Sequence, residues 1–309
     1  MKYSAISLKI LALKECGILR TNTQFWRDFA SIEKINGNCN QNKIVSKIID
    51  ELEDLFSREE FFDLGMICVF DDDFPCINYK AKESEKPYLL FYRGNVSLLK
   101  NLNNNVAVIG LTNPTDDIES RERTIVEKLI ENRLVIVSGL AKGCDEVAHK
   151  TCVEKKSKTI AILPTTLLKI SPASNRQLAN EIVDCGGLLI TEYFKEATNR
   201  SQAIGRYAER DRLQALFSKA VIMIASYRKG EGDSGSRYAM SYAENYEIKR
   251  YIMYNEKTDG SNKQFALNKE FASKGVESLS SAHIDKLTVL ENEKLTQKVK
   301  FKPEQISFI

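Results

Sequence analysis

Two hydrophobic periodicities divide the chain. Over the first 75 residues apolar side chains recur every three or four positions, in ISLKILAL (6–13) and IVSKIIDELEDLF (44–56), the spacing of a helix face. This stretch has neither glycine-rich loops nor β-branched runs, so a small helical domain is expected over 1–75. Two prolines and a charged segment in DDDFPCINYKAKESEKPYLLFYRG (71–94) predict an extended connection, taken as 76–105. After Asn105 short apolar runs alternate with amphipathic stretches: VAVIG (106–110), LVIVSG (134–139), TIAILP (159–164), GLLITE (187–192), AVIMIAS (220–226) and RYIMY (250–254). Strands buried on both faces of a parallel sheet read as such uninterrupted runs, and the gaps leave room for crossover helices. The pattern predicts an α/β fold with a doubly wound, mostly parallel sheet over 106–285. Beyond it, 286–309 reads as a Lys/Glu-rich tail.

Composition narrows the class of protein. The 309 residues hold 45 Lys+Arg against 42 Asp+Glu, a net charge of +3, so any basic surface must be local. No apolar run approaches the roughly 18–20 residues of a membrane helix. Lys9 and Lys14 interrupt the N-terminal apolar stretch, so no signal peptide is expected and a cytoplasmic protein is. Seven cysteines without Cys-x-x-Cys spacing, beside two histidines, predict reduced thiols and no metal site.

In an open parallel sheet ligands sit beyond the carboxyl ends of the strands, at loops leading into helix N-termini. Gly110 ends the first run. In SGLAKGCDEVAHK (138–150), Ser138, Gly139 and Gly143 bracket Lys142 just before a helix, where backbone amides and a lysine suit a phosphate. Asp145 serves equally as a first-turn acid. His149, four residues on, shares its helix face, as a structural pair would. EGDSGSRYAMSYAEN (231–245) sets Ser234, Gly235 and Ser236 before a helix holding Glu244. Finally RSQAIGRYAERDRLQALFSKA (200–220) gathers Arg200, Arg206, Arg210, Arg212 and Lys219 around Tyr207. That mixture suits a phosphate backbone with stacked bases, or a solvated helix face.

The ordered series FDDDFP (70–75), PYLLFYRGN (87–95), VAVIG, SGLAKGCDEVAH (138–149), TIAIL, SP..N..L (171–178), GGLLITEY (186–193), ERDRLQAL (209–216) and DSGSRYAMSYA (233–243) resembles the DprA/Smf family of bacterial DNA-processing proteins. The resemblance covers roughly residues 70–285, and the helical domain more loosely. It implies a Rossmann-like core that binds single-stranded DNA, forms a homodimer and hands DNA to a RecA-type recombinase during natural transformation, with no catalytic reaction and no cofactor. It puts the DNA pocket at Gly110, Ser138, Gly139, Lys142, Gly143, Arg210, Arg212, Ser234, Gly235 and Ser236, with the side chains on solvated loops.

Several departures mark a divergent relative. Where the family reads Gly-Ser-Arg, Gly110 is followed by Leu111 and Thr112, so an arginine is missing. Arg-Asn-Arg has become Arg210-Asp211-Arg212, and Pro164-Thr165-Thr166 replaces a glycine-containing turn. The segment after 285 is too short for the winged-helix module that the family often carries. Each change should weaken or redirect DNA binding. An alternative in the same superfamily is a nucleotide-binding or phosphoribohydrolase-like module using Glu244, in defence against foreign DNA. A protein-binding scaffold is a third.

Overall fold

The computed structural model describes residues 1–40, 42–232 and 235–289. The chain opens with α1 (Ala5–Glu15), the single turn α2 (Asn22–Gln24), α3 (Ile32–Asn40) and α4 (Lys43–Phe56). Ser4 and Ser7 cap α1 reciprocally: Ser4 Oγ accepts the Ser7 amide at 3.2 Å, and Ser7 Oγ accepts the Ser4 amide at 3.1 Å. The buried Leu8, Ile10, Leu11 and Leu13 then face Phe25, Phe56, Met66 and Phe91 in one apolar cluster. The ring of Phe25 stacks on Tyr88 with centres 4.2 Å apart. The helices thus form a cap sealed against one end of the sheet.

Among the described residues nine strands form that sheet. They are β1 (Leu64–Cys68), β2 (Leu89–Gly94), β3 (Asn105–Ile109), β4 (Val135–Ser138), β5 (Thr159–Ile162), β6 (Leu188–Thr191), β7 (Ala220–Met223), β8 (Lys249–Ile252) and β9 (Glu277–Ser278), in the order β1-β2-β6-β5-β4-β3-β7-β8-β9. The six expected runs are β3 to β8, all parallel. β1 and β2, antiparallel to each other, join through an antiparallel β2–β6 pairing. The sequence pattern did not give these two as strands. β1 is five buried residues with Ile67 as its one β-branched member, and so short a run has no alternation to distinguish it from helix.

The connecting helices are α5 (Asp116–Glu131), α6 (Cys144–Glu154), α7 (Arg176–Asp184), α8 (Arg200–Leu216), α9 (Ser236–Asn245), α10 (Glu256–Asp259), α11 (Ala266–Ser273) and α12 (Ser281–Val289). Alternate residues of each strand serve opposite faces. Val106, Val108, Ile136 and Ile222 pack with Ile118 and Val126 of α5 and Ala148 of α6. Ala107, Ile109, Val137 and Val221 pack with Leu213 of α8 and Met240 of α9. The architecture is therefore a doubly wound α/β sheet of Rossmann-like form behind a helical region. No described helix is long and apolar enough to cross a membrane.

Candidate functional site

Strand order reverses at the β3–β7 pair, since β4, β5 and β6 lie to one side of it and β8 and β9 to the other. The loops beyond these carboxyl ends are where a doubly wound sheet takes ligands. Here they pack tightly on one another. Gly110 leaves room for α6: a Cβ there would lie 2.7 Å from Cys144 Cβ. Cys144 N–H donates to Leu111 O at 2.9 Å. Gly143 caps α6 with φ +73°, and a side chain on it would strike the Pro114 ring and the backbone of Leu111. Ser138 Oγ donates to Val108 O at 2.7 Å, and Ser236 Oγ to Gly110 O at 3.1 Å. Gly235 precedes α9, while Ser234 lies outside the described residues. These small residues let three loops close into one floor.

Arg210 and Arg212 sit below that floor, not on solvated loops; they are 5% and 6% exposed. Arg210 faces Asp145 at 3.6 Å and Asp211 at 3.3 Å. Its guanidinium fills the space where a Gly139 side chain would be, so Gly139 is needed for Arg210 to reach Asp145. The Gln214 amide oxygen, oriented as its neighbours require, accepts from Arg210 Nη1 at 2.8 Å and from Gly139 N–H at 3.1 Å. Asp145 also takes the amides of Gly139 and Ala141 at 3.2 and 3.3 Å, so these loop donors already serve a carboxylate. Arg212 donates to Glu85 O, Glu209 O and Glu192 Oε1 at 2.6–2.8 Å. Lys219, also buried, donates to the Leu287 carbonyl of α12, and burial lowers it to about 8.

The exposed cations stand beside this network. Lys142 tips the β4 loop in solvent, without an ion pair among the described residues. Asn175 Nδ2 donates to Leu140 O at 3.1 Å and Ala141 O at 3.2 Å, tying that loop to the segment after β5. There a cleft of about 400 Å³ is lined by Lys169, Arg176, Glu196, Arg200, Arg206 and Tyr207, among others. Arg176 and Arg200 are exposed; Lys169 has Glu196 3.8 Å away. Arg206 is held by Lys195 O at 2.9 Å and stacks over Tyr193 at 4.1 Å, which fixes one wall. Tyr207 is 41% exposed, leaving a ring face open to stacking. Lys169 and Arg176 were missed by sequence reasoning, although the SP..N..L match (171–178) had marked the segment that holds Arg176.

The other titratable groups to place are His149, Glu122 and Glu244. His149 does not pair with Asp145: its Nδ1 meets Thr159 Oγ1 at 2.9 Å, and complete burial lowers its pKa to about 3, so the ring is neutral. Glu122 of α5 is fully buried, with the Cys144 thiol as its hydrogen-bonding neighbour. Burial pushes it well above the usual carboxylate range, so it carries a proton. Glu244 ends α9 and pairs with Arg250 at 2.8 Å, beside the amino end of β8 and away from the ligand loops.

With this geometry in view, comparison with known proteins is informative. The family model of DNA recombination-mediator protein A matches residues 65–283. The chain is 31% identical over 208 residues to Protein Smf of Synechocystis sp., covering 65% of this chain and 51% of that protein. It is 34% identical over 165 residues to DNA processing protein DprA of Streptococcus pneumoniae, covering 52% and 55%. The chain thus spans about half the length of the curated relatives it matches. The crystal structure of the Streptococcus pneumoniae protein superposes with a TM-score of 0.68 at 24% identity, over 92% of this chain and 97% of that one. A structure of DNA processing protein A from Helicobacter pylori, described for its single-stranded DNA binding mode, gives 0.60 at 25% identity, over 74% and 98%.

Proposed function

Because the chain belongs to the DNA recombination-mediator protein A family, we propose that it binds single-stranded DNA, without cleaving it, across the loops at the carboxyl ends of β4, β5 and β6. The observation that carries this reading is the cleft in which Lys169, Arg176 and Arg200 surround Tyr207, next to the solvent-exposed Lys142. The cations bind phosphates and displace the counterions condensed on the strand, while unpaired bases stack on the tyrosine. The single-stranded DNA binding mode described for the Helicobacter pylori protein supports the choice of ligand.

The parts of the site divide the work. Lys142, Lys169, Arg176 and Arg200 contact phosphate. Gly110, Ser138, Gly139, Gly143, Gly235 and Ser236 shape the floor on which the strand lies. Arg210 and Arg212 hold the β4 loop and the segment after β6 from below, as positioning residues. The bound strand is delivered to a RecA-type recombinase by a cytoplasmic homodimer. The test is a salt-titrated binding assay with oligo-dT, duplex DNA and mononucleotides. Oligo-dT should bind best, and its log affinity should fall with log salt by roughly 0.7 per phosphate neutralised. Equal affinity for duplex and single strands would sink the proposal.

A further inference from the structure

Between the helical cap and the sheet lies a second recess, of about 250 Å³, separate from the cleft proposed for DNA. Its walls are Leu55 near the end of α4, Phe61, Leu64 of β1, Phe91 of β2, and Leu167 and Phe194 from the segments after β5 and β6. Phe91 and Phe194 stack with centres 5.5 Å apart, and Phe56 meets Phe194 edge-on at 5.7 Å, so neighbouring rings hold the aromatic wall in place. Three polar side chains reach the recess, each with its polar end already engaged. Thr166 Oγ1 donates to Glu196 at 2.5 Å, Tyr193 OH donates to Glu209 at 2.6 Å, and the Lys195 ammonium pairs with Glu15.

We propose that this recess is a binding site for a small uncharged hydrocarbon body of about ten carbon atoms, a bicyclic aromatic being the best fit. The size follows from cavities of roughly 150 Å³, which accept benzene. The chemistry follows from the engaged polar groups, because a ligand bringing its own donors and acceptors would bury them unpaired. A nucleobase, with its amide edge, is disfavoured for that reason. The recess is therefore distinct from the DNA cleft, although segments 164–170 and 193–197 contribute to both. Protein interiors leave few voids larger than a water molecule, and here six large apolar side chains line open space without filling it.

Naphthalene is the probe. Titration calorimetry on the full chain should give one site per chain, and naphthalene should raise the melting temperature. Uracil at the same concentration should give no heat. Leu167→Trp fills the recess from within, and Leu168→Trp fills it from the half-exposed rim, where no repacking is needed. Each should weaken naphthalene binding at least tenfold while the variant still melts cooperatively. The proposal is overturned if the wild-type chain takes up no naphthalene, if uracil binds equally well, or if the folded Leu168→Trp variant binds naphthalene undiminished.

Discussion

Two groups of cations border the β4 loop, and they behave in opposite ways. Below it Arg210 and Arg212 are buried against Asp145, Asp211 and Glu192. Around the cleft Lys142, Arg176 and Arg200 stand in solvent. Arg200 and Arg210 even share one helix. What separates them is water: a charge taken out of it must be paired, whereas an exposed one keeps its hydration until a phosphate replaces it. The number of arginines in a run is therefore no count of phosphate contacts. Arg210→Ala tests this most severely. It removes the cation between Asp145 and Asp211, leaves a buried space, and should cost about 3–5 kcal/mol of stability in urea unfolding. Arg210→Lys should rescue little, since one ammonium cannot replace a planar fork. A loss below about 1 kcal/mol would erase the distinction.

The buried region should also betray itself through pH. Glu122 keeps its proton in the native state above the pH at which the unfolded chain releases it, so the unfolded state binds fewer protons there. Stability from this residue falls as pH rises above about 4.5. His149 acts in the opposite sense. Its native pKa is near 3 against 6.5 unfolded, so the unfolded state binds more protons and stability rises with pH across that window. Each slope is at most about 1.4 kcal/mol per pH unit. Urea midpoints between pH 4 and 9 should show Glu122→Gln losing the decline that starts above about pH 4.5 and His149→Gln losing the rise between about pH 3 and 6.5. If both variants follow the wild-type curve, these groups are not titrating as their burial requires.

The exposed region should give the mirror image. Lys142→Ala and Arg200→Ala should each weaken oligo-dT binding about tenfold, the effect of losing one charge-assisted contact. The loss should be equal for all base sequences, because phosphate contacts position a strand without reading it. Melting temperatures should stay within a degree or two of wild type. If affinity is unchanged while stability drops, these cations belong with the buried group.

How much of this was legible beforehand depended on whether a residue's partner was local in sequence. The continuous runs VAVIG and AVIMIAS announced β3 and β7 because burial on both faces selects such residues. The small residues of SGLAKG were legible as a tight loop. What they make room for was not: the guanidinium over Gly139 comes from about 70 residues away. Arg210 and Arg212 looked like surface charge because Asp145, Glu85 and Glu192 meet them only in the folded chain. Lys169 and Arg176 went unread for the converse reason. Isolated cations, Lys169 in an irregular segment and Arg176 at the first position of α7, have no periodicity, and only the fold gathers them with Arg200.

The smallest expected effect is also the most discriminating. Thr112 is exposed in the loop after β3, at the position where the resemblance to the DprA/Smf family implies an arginine. The loop's backbone is held through the Leu111 O contact with Cys144 N–H and the Asn113 O contact with Gln264 Nε2 at 2.9 Å. Thr112→Arg therefore adds a charge to a rigid platform beside the cleft without burying it. Oligo-dT affinity should rise a few-fold, and the salt slope should steepen by about 0.7, one further phosphate's worth. Stability should barely change. A steeper slope would assign the β3 loop and the cleft to one continuous phosphate track. An unchanged slope would confine the strand to the β4–β6 side, with the β3 loop serving only as the wall behind Gly143.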